Sequence, residues 1–322
     1  MALVEQIRAI THDYVSNKLA DNVFLSTAGF RRLYSKRIKL DGGYDIGASL
    51  IVGGPDETTG AWYSGAETLV SAEKDDISRA RVDWKQGHET ILISTADLNK
   101  NSGKAQIVSL LKGKMQAAEK RFSARLATGV FNAGTTAKAF NGLQQIIGTG
   151  TYAGLAASDF TDEAAASAWQ AQIKSNSGTV RALSGSLIQG AMGAATQDSE
   201  SPSVAFMLQN VFDELWSILE PHQRLMVEDS SFSGLGHAQS KKVLQYNGIP
   251  FLVDSHMKAN SMFFVNEEYV KFYVHQAEDM KAQRFDKLED QNAVKERMLI
   301  MGNLLCNNRR FQAELGDINV AA

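Results

Sequence analysis

Residues 37–94 constrain the fold most, because they read as extended chain that carries too little apolar bulk to bury itself. Ile38 and Leu40 are followed by Gly42-Gly43, an apolar run over 48–52, a turn cluster Gly53-Gly54-Pro55-Asp56, and Gly60 ahead of Trp62 and Tyr63. The spacing predicts a long hairpin with its turn near 53–60, a return arm over 71–84 and a strand over 90–94. Between residues 47 and 80 the large aliphatic residues are Leu50, Ile51, Val52, Leu69, Val70 and Ile77. Arms of this length reach on the order of 50 Å at ~3.3 Å per residue, and a lone hairpin is marginal in water. Another chain must therefore support it.

The rest of the chain is richer in apolar pattern. Residues 3–20 place Leu3, Ile7, Ile10, Tyr14 (or Val15) and Leu19 at helical spacing, which predicts an amphipathic helix that docks on a partner surface. Over 102–131, Ile107, Leu110, Leu111, Met115, Ala118, Phe122, Leu126 and Val130 recur at steps of three and four. Lys112, Lys114, Lys120, Arg121 and Arg125 fall mostly on the other side. This is one long helix of roughly 45 Å, ended at Asn132-Ala133-Gly134.

Residues 140–273 read as a mixed α/β unit. Helices are expected over 162–175, 185–197 and 210–219, the last stopped by Pro221; strands are expected over 203–207, 243–246, 251–254 and 262–265. Asn247-Gly248 between two of those strands is a strong hairpin-turn signal. Residues 269–318 look strand-rich, with Leu299-Ile300-Met301 and Leu304-Leu305 as a buried crossing. The fold class is α+β.

Composition narrows the function. The chain has 322 residues, 44% hydrophobic and 21% charged, which is enough for one or two packed cores. Its 33 basic and 36 acidic residues give a net charge of -3, so no global basic field draws it onto nucleic acid, and contact with DNA is local and weak. The basic residues of the long helix fit a solvated helix face better than a nucleic-acid surface. Cys306 is the single cysteine, which excludes an intrachain disulfide and fits a reducing compartment. Residues 1–20 carry Glu5 and Asp13 and do not resemble a signal peptide. No apolar run approaches the ~20 residues of a membrane helix, so no membrane partner is expected.

Motifs for catalysis are weak. The histidines His12, His88, His222, His237, His256 and His275 are dispersed, and none has metal-cluster spacing to a cysteine or another histidine. The stretch from Gly148 through Gly150 to Gly154 misplaces the third glycine of a dinucleotide loop and reads as a flexible loop. No phosphate-binding Gly-x4-Gly-Lys motif and no Gly-x-Ser-x-Gly elbow occurs. Ser230, Ser231 and Ser233 near Asp229 and His237 fit a polar loop with turns at Gly234 and Gly236. Cys306, in an apolar strand context, reads as a small buried hydrophobe. Catalytic, cofactor-binding and metal residues are expected to be none, and the protein not to be an enzyme.

The order of elements, together with Arg125-Leu126-Ala127-Thr128-Gly129-Val130-Phe131, Phe140-Asn141-Gly142-Leu143-Gln144 and Tyr246-Asn247-Gly248-Ile249-Pro250-Phe251-Leu252-Val253-Asp254, resembles tailed-phage major capsid proteins with the Hong Kong 97 fold. The likeness runs over roughly residues 20–318. It implies an N-terminal arm (1–36), an extended β-hairpin loop with peripheral-domain strands (37–94), and a long spine helix in the peripheral domain (95–134). A mixed α/β axial domain (135–268) and closing peripheral-domain strands with a tail (269–322) complete it. Trp62, Tyr63, Leu69 and Val70 on the extended loop are the expected inter-subunit contacts, since buried aromatic and aliphatic side chains dominate interface energies.

By the same resemblance, the chain is expected to self-assemble through pentamers and hexamers into an icosahedral shell around double-stranded DNA, as a virion component assembled in the host cytoplasm. With no scaffolding segment of about a hundred residues ahead of the first family-like element, a separate scaffold protein is expected beside the portal, with room for a decoration protein. Some relatives weld subunits through a loop lysine. Residues 53–67 hold none, Lys74 and Lys85 lying in the return arm, so no covalent cross-link is expected. Two rivals remain: an encapsulin-like compartment shell with protein cargo, and a cytosolic α/β hydrolase using residues 229–237.

Overall fold

The computed structural model describes residues 27–51, 60–69, 72–73, 77–100, 110–160, 166–167, 169–197, 199–219, 226–227, 243–287 and 291–320. The helix expected over 3–20 lies outside them, as do residues 52–59, where most of the hairpin turn was expected, and residues 228–242 with the serine-rich loop.

Helix α1 (Ala28–Ser35) leads into β1 (Ile38–Leu40), β2 (Ile46–Ile51), β3 (Ile77–Val82) and β4 (Lys85–Ser94). Helices α2 (Thr95–Lys100), α3 (Leu110–Val130) and α4 (Leu143–Ile146) follow, then β5 (Gln172–Lys174), β6 (Arg181–Ala182) and α5 (Gly185–Ala195). Next come β7 (Val204–Met207), α6 (Gln209–Leu219), β8 (Met226–Val227), β9 (Val243–Tyr246), β10 (Ile249–Val253), β11 (Met262–Val265) and β12 (Val270–His275). The chain closes with β13 (Lys281–Lys287), β14 (Ala293–Cys306), β15 (Ala313–Leu315) and β16 (Ile318–Asn319).

These elements form two compact units. Among the described residues, the first is built from those within 88–122 and 281–299, and the second from those within 27–87, 123–280 and 300–320. In the first unit β13 pairs antiparallel with the start of β14, from Lys281 opposite Leu299 to Lys287 opposite Val294, with a bulge between Gln283 and Asp286. A small core of Ile91, Ile93 and Ala118, flanked by Met115 and Met298, packs here. Arg121 on the outer face of α3 donates to Glu89 at 2.8 Å, and Lys114 donates to the Leu92 carbonyl.

The second unit is organised by a seven-stranded mixed sheet in the order β5-β15-β11-β7-β10-β9-β8. Its central strands β7 and β11 are buried at every position, as expected of strands covered on both faces. One face, with Ala205, Met207, Phe251, Met262 and Phe264, packs against Ile188, Ala191 and Met192 of α5 and Val211 and Leu215 of α6. On the other face Phe206 meets Phe131 edge-on, ring centres 5.8 Å apart. In a second sheet β12 pairs parallel with β1 and antiparallel with the end of β14. Its alternate residues Val270, Phe272 and Val274 are buried, and Phe272 receives Phe30 and Tyr34 of α1 edge-on.

Two turns follow directly from residue chemistry. Asn247 and Gly248 both adopt positive φ (50° and 78°), the geometry that a two-residue hairpin loop requires. Gly142 lies against the backbone of Asn132, where a Cβ would clash with its nitrogen and oxygen, so a glycine is needed to bring the two segments together.

One expectation fails. The helix predicted over 162–175 gives way at its end to strand β5, which pairs parallel with β15, Gln172 opposite Ala313 and Lys174 opposite Leu315. Alanine-rich helical propensity yields there to a ladder at the sheet edge, because tertiary pairing overrides a weak local preference.

Candidate assembly surface

Strands β2 and β3 pair antiparallel over their whole length, from Ile46 opposite Val82 to Ile51 opposite Ile77, and form a two-stranded sheet by themselves. Alternation gives the ribbon two unlike faces. One face carries Ile46, Ala80 and Val82, all buried. The other carries Arg81 and Arg79, then the cross-strand pair Ile51 and Ile77, 81% and 75% exposed.

The base of this ribbon is tied down. Arg79 pairs with Asp45 at 2.6 Å, the Arg81 amide donates to the Ala153 carbonyl, and the Trp84 indole donates to the Gly43 carbonyl, both at 3.0 Å. Lys85 donates to the Ala137 carbonyl at 2.8 Å, and the Asn303 side-chain amide donates to the Asp83 carbonyl at 2.7 Å.

At the far end of the ribbon Ile51 and Ile77 are bare, and residues 60–69, which lie between the two strands in sequence, carry further exposed apolar side chains. Trp62 is fully exposed, and Tyr63 and Leu69 are 64% and 63% exposed. Val70 lies outside the described residues. Three of the four anchors expected from the sequence thus stand in water in the single chain. Ile51 and Ile77 join them, and the period-two alternation of the strands was the signal that could have singled these two out. Exposed large apolar side chains in and between the two strands make this stretch a candidate interaction surface.

The alternatives for chemistry look different once placed. The Gly148–Gly150 loop offers carbonyls rather than amides: Gly148 and Gly150 both accept from the buried Arg309 guanidinium. A phosphate would need N–H donors there. His256 Nδ1 lies 3.0 Å from Asp254 Oδ1, and Asp254 also accepts from the Gly29 amide at 2.8 Å, so this carboxylate staples α1 to the end of β10. Cys306 is buried, its Sγ donates to the Asn308 carbonyl, and burial pushes its thiol up to about 12, far from a nucleophile's range. Among the described residues no His, Cys, Asp and Glu cluster could hold a metal ion, and no helix is long and apolar enough to cross a membrane.

Comparison with solved structures identifies the fold as the Hong Kong 97 type. The capsid subunit of cyanophage A-1(L) superposes with a TM-score of 0.69 at 15% identity, over 96% of this chain and 98% of that one. The capsid subunit of the native GTA particle gives 0.66 at 11% identity, over 99% of each chain. The SrpI encapsulin of Synechococcus elongatus PCC 7942 gives 0.63 at 8% identity, over 100% of this chain and 97% of that one. No curated protein matches the sequence. The family profile described as SU10 major capsid protein matches residues 90–303, about two thirds of the chain. A structural subunit of a phage capsid and not an enzyme, the chain belongs to the SU10 major capsid protein family.

Proposed function

We propose that the subunit assembles through five- and six-membered rings into a closed icosahedral shell around double-stranded DNA, with the β2–β3 ribbon lying over a neighbouring copy. The observation that carries this is a ribbon fixed at its base and bare at its end, with Ile51, Ile77, Trp62, Tyr63 and Leu69 exposed in the single chain. Burying such a set against a second copy gains ~25 cal/mol per Å² of apolar surface, and ring closure multiplies it. Trp62, Tyr63, Leu69 and Val70 are the contacts assigned to this role. Contact with the enclosed DNA is weak and non-specific, in keeping with a net charge of -3 and with Arg121 engaged by Glu89. Subunits meet in the host cytoplasm, where a scaffold protein and a portal complete the assembly. No covalent weld joins them, residues 53–67 holding no lysine.

Electron microscopy with light scattering on the purified chain, expressed alone and with its neighbouring genes, tests the reading. Rings of five and six or closed shells are expected; a species that stays monomeric under all conditions overturns it. The similarity to SrpI encapsulin favours a second reading, a compartment shell. The contents of purified particles separate the two: nucleic acid for the capsid, protein cargo for the compartment.

A further inference from the structure

We propose that Asn303 is a positioning residue that aims the hairpin, an inference resting on the reading of the ribbon as the arm that lies on a neighbouring copy. Asn303 is completely buried on β14. Its Oδ1 accepts from the amides of Asn141 (2.8 Å) and Leu304 (2.9 Å), and its Nδ2 donates to the carbonyl of Asp83 (2.7 Å). The two amide donors fix which side-chain atom is the oxygen, since the flipped group would set NH2 against two N–H groups. One side chain thus joins three segments: the end of the hairpin's return arm, the irregular stretch before Gly142, and the long strand β14.

The point of attachment matters more than its strength. Asp83 directly follows β3, so the plane of its peptide sets the direction in which the ribbon leaves the body. A turn of ~10° at Asp83 swings the far end of the six-residue β3, ~20 Å away, by ~3 Å. Contacts between apolar side chains are lost over less than that distance. The Trp84 and Lys85 bonds at the base are exposed, and water can replace them. The Asn303 bond is part-buried and its donor side chain is completely buried, so water replaces it less readily than the two exposed bonds.

The variant Asn303→Asp tests this on the full-length protein. Ionised, its carboxylate keeps both acceptor bonds and sets an acceptor oxygen, in place of the amide donor, against the Asp83 carbonyl. Expected are a folded subunit, faster amide exchange confined to residues 77–84, and a yield of closed shells down by about tenfold, a loss near one hydrogen bond per subunit being repeated around the shell. Asn303→Ser, uncharged and too short to reach Asp83, is expected to behave alike. Phe263→Leu, a core variant of comparable destabilisation, is expected to close shells normally, and Trp62→Ala to abolish them.

Wild-type shells from both Asn303 variants, with Trp62→Ala failing, overturn the aiming role alone. Wild-type shells from Trp62→Ala overturn the reading of the hairpin itself. If neither Asn303 variant folds, or if Phe263→Leu loses shells equally, Asn303 is a core-stability residue and the proposal falls.

Discussion

Arg32 of α1 grips Glu267 with two parallel bonds, Nε at 2.7 Å and Nη2 at 3.0 Å, and the carboxylate they hold is 2% exposed. Ser203 Oγ and the Lys36 ammonium complete its shell. The pair ties the first described helix to the loop between β11 and β12, more than two hundred residues later in sequence. Removing one partner of a buried pair costs about 3–5 kcal/mol, whereas an exposed partner contributes about 0–1 kcal/mol. Urea unfolding of Arg32→Ala is expected to show the first loss and that of Lys36→Ala the second.

Arg309 donates to backbone carbonyls, and its guanidinium lies over the Tyr152 ring, 5.4 Å from the centre. Nε donates to Ile146 (2.8 Å), Nη1 to Gly150 (2.6 Å) and Trp169 (3.1 Å), and Nη2 to Gln145 (3.4 Å) and Gly148. Arg309→Met matches the stem but strands buried acceptors, each at about 1–3 kcal/mol. A loss above about 4 kcal/mol is expected by denaturant titration. Arg309→Lys is expected to recover only part of it, because an ammonium cannot fork across these positions.

How much of this was legible in the sequence depends on range. The apolar stripe Ala118, Phe122, Leu126 and Val130 is buried as its spacing requires, and strands β9 and β11 fall where alternation and turn signals place them. These are local signals. The Arg309 cradle, the Arg32–Glu267 pair and the Asn303 knot join residues far apart in sequence, and no periodicity marks them. The strand β5 was missed for the same reason, since its partner β15 lies about 140 residues downstream. The β2–β3 ribbon was readable by what it lacked, apolar bulk.

Asp279 supplies a pH dependence. Burial works to raise its carboxyl, but hydrogen bonds from Lys39, Tyr34 and Arg37, with the Arg37 charge, outweigh it and hold the group at about 2 against an ordinary 3.8. A depressed carboxyl contributes stability that is whole above the unfolded value and lost as pH falls through the folded one. Wild type is therefore expected to exceed Asp279→Asn in stability at pH 7, with the gap closing between about pH 4 and pH 2. Unfolding curves of both proteins across that window check it; a gap that stays constant would contradict the assignment.

Cys306 should resist alkylation. Its thiol is buried and pushed up to about 12 by that burial, so at pH 8 little thiolate exists and none is reachable. Mass spectrometry after iodoacetamide treatment is expected to show an unmodified native chain and full labelling in urea. Rapid labelling of the native protein would mean that the end of β14 opens.

The bare end of the ribbon sets a limit on supply. If the ribbon lies over a neighbouring copy as proposed, a folded subunit that keeps Trp62, Ile51 and Ile77 in water is open to misplaced contacts as its concentration rises, because side chains that recognise a correct neighbour also adhere to others. The rate at which chains are made must then stay matched to the rate at which growing shells consume them. A stalled shell would be followed by precipitation, and the timing of expression becomes part of what this short stretch of sequence encodes.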